Sequence, residues 1–134
     1  MVTETMRVAV SSEGQNLDSQ ISSVFGRCQC FSILEIRDDG ISDNYVLENS
    51  AASQSSGAGT AAAQIVGDEG IDVLVTGSVG PKAFSALKQW GIRIYKGEPG
   101  TVRENIDMLI LDELKKVEAP TGPAHMGLDE KGAG

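Results

Sequence analysis

Two cysteines stand one residue apart, Cys28 and Cys30, directly after Gly26-Arg27. Two thiolates so close, with a cation beside them, could hold a soft metal ion or a metal–sulfur cluster. Cys28 follows a glycine in a turn and is the better candidate for a ligand or reactive thiol, because Arg27 would favour its thiolate. Cys30 opens a strand, shares a face with Ser32 and Leu34 by alternation, and so belongs in the core. A disulfide between them is awkward, since side chains two apart on a strand sit about 6–7 Å from each other.

Two glycine-rich segments could meet the same ligand: Gly57-Ala58-Gly59-Thr60 and Gly77-Ser78-Val79-Gly80. Glycines let the backbone approach an anion, and each segment precedes a helix whose first N–H groups would point at it. The same glycines would also serve plain tight turns and close helix–sheet packing. Neither is a Walker loop, because no Gly is followed by Lys and Ser/Thr at the required spacing. Metal–sulfide clusters are anionic, so two such nests with Arg27 and Lys82 would suit one.

Other chemistries are poorly served. Two cysteines cannot complete a four-ligand zinc site, and the one histidine, His125, lies near the C-terminus. Met6–Ser11 carries no carboxylate to begin a two-metal nuclease site. Ser11, Ser12 and Ser78 have no histidine base within the folded part, so a Ser-His-Asp triad is excluded there. The expectation is a binding protein and not an enzyme.

These residues need elements to position them. With 134 residues the chain has the size of one domain. Met6–Ser11 reads as a strand, and Leu17, Ile21, Val24 and Phe25 recur at helical spacing, enough for a short helix or a helical turn. Cys30–Arg37 and Ile41–Glu48 read as a hairpin turning at Asp38-Asp39-Gly40. Thr60–Glu69 is a small-residue helix, and Ile71–Val75 an apolar run covered on both faces. Pro81 starts a helix with Ala83, Phe84, Leu87 and Trp90 on one stripe. Ile92–Tyr95 is the fifth strand. Thr101-Val102-Arg103-Glu104 matches a capping box opening a last helix that faces Val102, Ile106, Leu109, Ile110 and Leu114 inward.

The pattern predicts an α/β, three-layer fold with a five-stranded mixed sheet, order 3-2-1-4-5, and helices on both faces. Residues 1–116 form the domain and 117–134, interrupted by Gly and Pro, a flexible tail. The loops leaving the first and fourth strands meet at a change of winding direction, where ligands bind. The candidate crevice therefore joins Ser11–Asn16, the Gly57 region and Gly77–Pro81, bordered by the Phe25–Cys30 turn.

Lysine and arginine number 11 against 19 aspartates and glutamates, a net charge of −8. That balance excludes a basic nucleic-acid face and disfavours anionic membranes. No segment approaches the roughly 20 apolar residues of a membrane span. Met1–Thr5 lacks the basic start of a signal peptide, so a cytoplasmic location is expected.

Phe25-Gly26-Arg27, Phe31, Gly57-Ala58-Gly59, Thr76-Gly77 with Gly80-Pro81, and Gly91-Ile92 before a final helix form an ordered set. That set resembles the dinitrogenase iron–molybdenum cofactor biosynthesis family over residues 6–114. The resemblance implies a ribonuclease-H-like layout and a protein that binds or carries a metal–sulfur cluster without turnover. Nitrogenase-associated members often place a histidine just before Phe-Gly-Arg, where this chain has Val24. Stand-alone relatives often lack it, and some resemble carriers of molybdenum–copper sulfide clusters. The implied cofactor is thus a cluster of molybdenum with iron or copper, and the implied partners are that cluster and an acceptor protein. The candidate cluster-binding residues are Ser11, Ser12, Arg27, Gly57, Ala58, Gly59, Thr60, Gly77, Ser78 and Gly80, with Cys28 as the metal ligand. Two alternatives use the same crevice or leave it empty: a phosphate- or nucleotide-binding module without metal, and a protein-interaction adaptor.

Overall fold

The hairpin over Cys30–Glu48 turns at Asp38, whose φ of 56° lies in the left-handed region that short polar residues tolerate. Its arms are β2 (Cys30–Arg37) and β3 (Gly40–Glu48), and a register shift after Glu35 kinks the pair. β1 (Met6–Ser12) pairs antiparallel with β2 along its whole length. The computed structural model describes residues 5–38 and 40–121.

Three helices follow in alternation with the remaining strands. They are α1 (Ala58–Asp68), β4 (Val73–Thr76), α2 (Pro81–Gln89), β5 (Arg93–Lys96), α3 (Val102–Ile110) and β6 (Lys115–Lys116). β4 lies parallel to both β1 and β5. Among the described residues the sheet is mixed and six-stranded, in the order β3-β2-β1-β4-β5-β6. It therefore has one strand more than the five the sequence predicts. Lys115-Lys116 shows no apolar alternation; the strand exists through backbone pairing with Lys96 and Tyr95, and through burial of Leu114 and Val117 on either side of it.

Two more expectations change. Of the short helix or helical turn expected over Leu17–Phe25, the structure forms only a turn, a 3-10 one displaced to Phe25–Arg27. Asn16 Oδ1 accepts from Asp18 N, and Ser22 Oγ both accepts from Val24 N and donates to Val24 O. Such local bonds compete with the helical ladder. The predicted tail also begins too early. Val117 packs in the core and its N–H donates to Ile94 O, while Thr121 N donates to Val79 O. Residues 122–134 of that tail lie outside the described residues.

Strand alternation divides the core. Ala9, Phe31, Ile33, Leu74 and Ile94 face α1 and α2, whereas Val8, Val10, Leu34, Val73 and Val75 face α3. Helices thus cover both faces of the sheet, in three layers. Phe25 and Phe31 meet with ring centroids 5.7 Å apart, anchoring the 3-10 turn to the sheet. The α1 and α2 layers pack closely because small residues line them: a Cβ on Gly59 would lie 3.0 Å from the Cβ of Ala83. Because β1, β4 and β5 are parallel, their C-terminal ends and the starts of all three helices gather at one end of the sheet.

Candidate functional site

At that end the β1 and β4 termini are bound to each other. Ser11 Oγ donates to Thr76 Oγ1 at 2.8 Å, and both side chains are fully buried. The chain then returns over them. Residues 21–25 are tied to β1 by an Ile21–Ser12 bridge and a 2.7 Å bond from Ser22 N to Ser11 O. On the other side Ser78 N donates to Ser23 O at 2.8 Å and Phe25 N to Ser78 O at 3.1 Å. Gly77 permits this crossing, since a Cβ there would sit 2.2 Å from Ser23 O.

The gap between β1 and β4, where the sequence places one crevice, is therefore spanned by chain and divided in two. On the α1 side lie Arg27 and Gly57–Thr60. Gly26 rests directly on the first turn of α1: a Cβ at Gly26 would lie 2.8 Å from Gly59 N. Gly57, in the left-handed region at φ 74°, caps α1 without a side-chain bond. Arg27 donates to Ala52 O and Gln54 O, which orients its guanidinium toward the stretch leading into α1. Neutral carbonyls leave its charge uncompensated.

On the α3 side is a cleft of about 370 Å³, bordered by Gln20–Ser23, Gly77–Ser78, Lys96–Gly97 and Pro99–Gly100. Its size falls in the usual range for small-ligand sites. Lys96 is its only charged border residue, and among the described residues it makes no ion pair. Hydroxyls of Ser23 and Ser78 and the Gln20 amide complete a polar rim. The helix starts nearby direct their positive dipole ends toward this end of the molecule. The arrangement favours an anion.

Of the predicted residues, Gly77 and Ser78 border the cleft, while Arg27 and Gly57, Ala58, Gly59 and Thr60 lie across the partition. Ser11 and Ser12 are buried beneath the crossing segment; Ser12 Oγ donates to Gly14 O at 2.7 Å. Gly80 opens α2, but the nest it was to form is partly spent, because Val79 N donates to Thr121 Oγ1 and Ser78 N to Ser23 O. Lys96, Gly97, Gly100 and Gln20–Ser23 escaped the sequence reading. Gly97-Glu98-Pro99-Gly100 carried a usable signal, standing between strand and helix as Gly77–Gly80 does.

Cys28 is not in a flexible turn at a crevice, as its sequence neighbours suggest. Its side chain is completely buried, with the thiol donating to Phe25 O at 3.2 Å. Burial pushes that thiol up to about 12, against partial relief from hydrogen bonds to Ser11 and Asn49. Asn49 holds the turn by donating to Gly26 O and Cys28 O. Arg27 points elsewhere and does not assist a thiolate. Cys30 is buried as expected; its thiol donates to Gly14 O at 2.9 Å and is raised chiefly by burial. Among the described residues no group of three or more His, Cys, Asp or Glu side chains could hold a metal ion. No described helix is long and apolar enough to cross a membrane.

The fold and the site together define a small mixed α/β domain with a cleft at the C-terminal ends of its parallel strands. Residues 6–112 match the model of the family described as dinitrogenase iron-molybdenum cofactor, and the chain belongs to that family. An uncharacterised protein of Methanocaldococcus jannaschii is 31% identical over 118 residues, covering 87% of this chain and all of that one. The apo form of the orange protein from Desulfovibrio gigas superposes with a TM-score of 0.77 at 30% identity, over 89% of this chain and 98% of that one. A Thermotoga structure described as a provisional NifB protein gives a TM-score of 0.71 at 33% identity, over 83% and 92% of the two chains.

Proposed function

We propose that this protein carries a preformed anionic metal–sulfur cluster, of molybdenum with iron or copper, as cargo in the cleft between residues 20–23, 77–78 and 96–100. The observation that carries the reading is Lys96, a cation without an ion pair among the described residues, standing on the rim of a glycine-bordered cleft in a chain of this family. Ligation by the chain is disfavoured, since both thiols are buried and raised, Cys28 to about 12. The cluster would be held by charge, hydroxyl donors and backbone N–H groups, so that uptake and release break no covalent bond. Lys96 supplies the charge; the Ser23 hydroxyl and the Gln20 amide supply donors to sulfide edges. The role is cytoplasmic transport or storage without turnover, ending in transfer to an acceptor protein.

The test is reconstitution with tetrathiomolybdate plus Cu(I), or with iron and sulfide, followed by gel filtration and metal analysis. Wild type and Cys28→Ser/Cys30→Ser should retain metal stoichiometrically with a visible charge-transfer band, and Lys96→Glu should lose it. If wild type retains no metal while nucleotides or inorganic phosphate raise its melting temperature, the cleft is a phosphate site instead.

A further inference from the structure

α3 carries a residue that its packing does not need. Asn105 is fully buried on the helix that presents Val102 and Ile106 to the sheet, a position where an apolar side chain would remove the desolvation cost of an amide. Every strong polar group of that amide is spent on one loop. Oδ1 accepts from Glu98 N at 2.8 Å, and Nδ2 donates to Glu98 O at 2.9 Å and Thr101 O at 3.0 Å. The loop so held is Gly97–Thr101, one wall of the cleft. A Cβ on Gly97 would lie 3.1 Å from Asn105 Oδ1 and 2.6 Å from Ile21 Cδ1, so both neighbours press on it.

The same loop holds the opposite wall. Gly100 O accepts from Ile21 N at 3.0 Å, and Gln20 and Thr101 form an antiparallel bridge. Val102 N donates to Ser19 O at 2.9 Å and Arg103 N to Leu17 O at 2.8 Å. Residues 17–21 therefore lie along the start of α3, and their continuation, Ser22–Ser23, is zipped to Ser78. We infer that Asn105 is the positioning residue of the cleft, acting through the Gly97–Thr101 loop on both walls at once without touching the ligand itself. This inference rests on the cargo reading above. Loss of its two donated bonds frees Glu98 O and leaves Thr101 O with the backbone N–H of residue 105 alone, lets the loop shift, and moves Lys96 and Ile21 with it.

Asn105→Asp keeps shape and acceptor while removing both donors. Ile106→Val, one residue further and bonded to nothing in the loop, serves as a control for mild core destabilisation. The measurements are tetrathiomolybdate affinity at pH 8 and hydrogen exchange at the Glu98 and Ile21 amides. Expected is at least ten-fold weaker binding for Asn105→Asp, about 1.4 kcal/mol, with faster exchange at the Ile21 amide, retained protection at Glu98, whose acceptor is kept, and a shifted visible band of the bound anion. Ile106→Val should bind within two-fold of wild type. Asn105→Asp binding within two-fold of wild type, or unchanged exchange at Ile21, would overturn the inference. If wild type itself does not bind the anion, the cargo reading fails, and the exchange data alone decide whether Asn105 positions the walls. Should Asn105→Asp not fold, Asn105→Ser takes its place under the same criteria.

Discussion

Gly77→Ala should damage the molecule out of proportion to one methyl group. The added Cβ would stand 2.2 Å from Ser23 O, 2.5 Å from Ser23 C and 2.7 Å from its Cα, all backbone atoms that cannot rotate away. Relief requires the 21–25 segment to lift off β4. That motion breaks the bonds Ser78 N to Ser23 O and Phe25 N to Ser78 O, and loosens Ser78 Oγ from Ser23 O. Two hydrogen bonds at roughly 1 kcal/mol each, with strain of about 1–3 kcal/mol, give a loss of about 3–5 kcal/mol. At roughly 2.1 cal/mol/K per residue the unfolding entropy makes 1 kcal/mol worth about 3.5 °C here, so melting should fall by about 10–18 °C. Thermal unfolding followed by circular dichroism measures it. Gly91→Ala is the comparison: φ there is +76° with nothing within 4 Å of an added Cβ, so only backbone strain of about 1 kcal/mol applies. A Gly77→Ala protein melting within 3 °C of wild type would refute the reasoning, because the crossing segment would then not be clamped at Ser23.

Cys28 should resist thiol reagents in the native protein at pH 8 and react at once after denaturation, as titration with a chromogenic disulfide will report. Its folded-state value of about 12 exceeds the ordinary 9.0, so the neutral thiol is the folded form. Stability from this group is intact below about pH 9 and declines as pH rises toward 12, with Tyr45 adding to the same alkaline loss because burial and the Glu69 carboxylate raise it to about 12. Ending the chain after Lys116 removes buried Val117, its bond to Ile94 O and the Thr121–Val79 pair, at a cost of about 3 kcal/mol by urea denaturation.

The elements were largely legible in the sequence because their signals were local. Alternation in Cys30–Arg37, the apolar run before Thr76, Pro81 at a helix start and the Thr101–Glu104 capping box all reappear, the last with both reciprocal bonds formed. β6 was illegible because two lysines pair through backbone groups that carry no side-chain pattern. Helical spacing over Leu17–Phe25 misled, since Leu17 and Ile21 pack against the α3 side and Phe25 against the α1 side, as the segment crosses the strand ends. The cleft was half legible. Gly77 and Ser78 were found because glycines before a helix advertise a nest. That Ser23 would occupy part of that nest is a contact across 55 positions of chain, which no local pattern records. Cys28 shows the same limit: a thiol in a glycine-led turn reads as exposed until Phe25 and Asn49 close over it.

The central claim is that an anionic metal–sulfur cluster rests on the α3 side of the partition, beside Lys96. Amide chemical-shift mapping with tetrathiomolybdate and Cu(I) added to labelled protein tests it most directly, since both metals are then diamagnetic. The predicted result is saturable shifts at Gln20–Ser23, Gly77–Ser78 and Lys96–Gly100, lost in Lys96→Glu. Shifts confined to Arg27 and Gly57–Thr60, or none at any cluster concentration, would contradict the account.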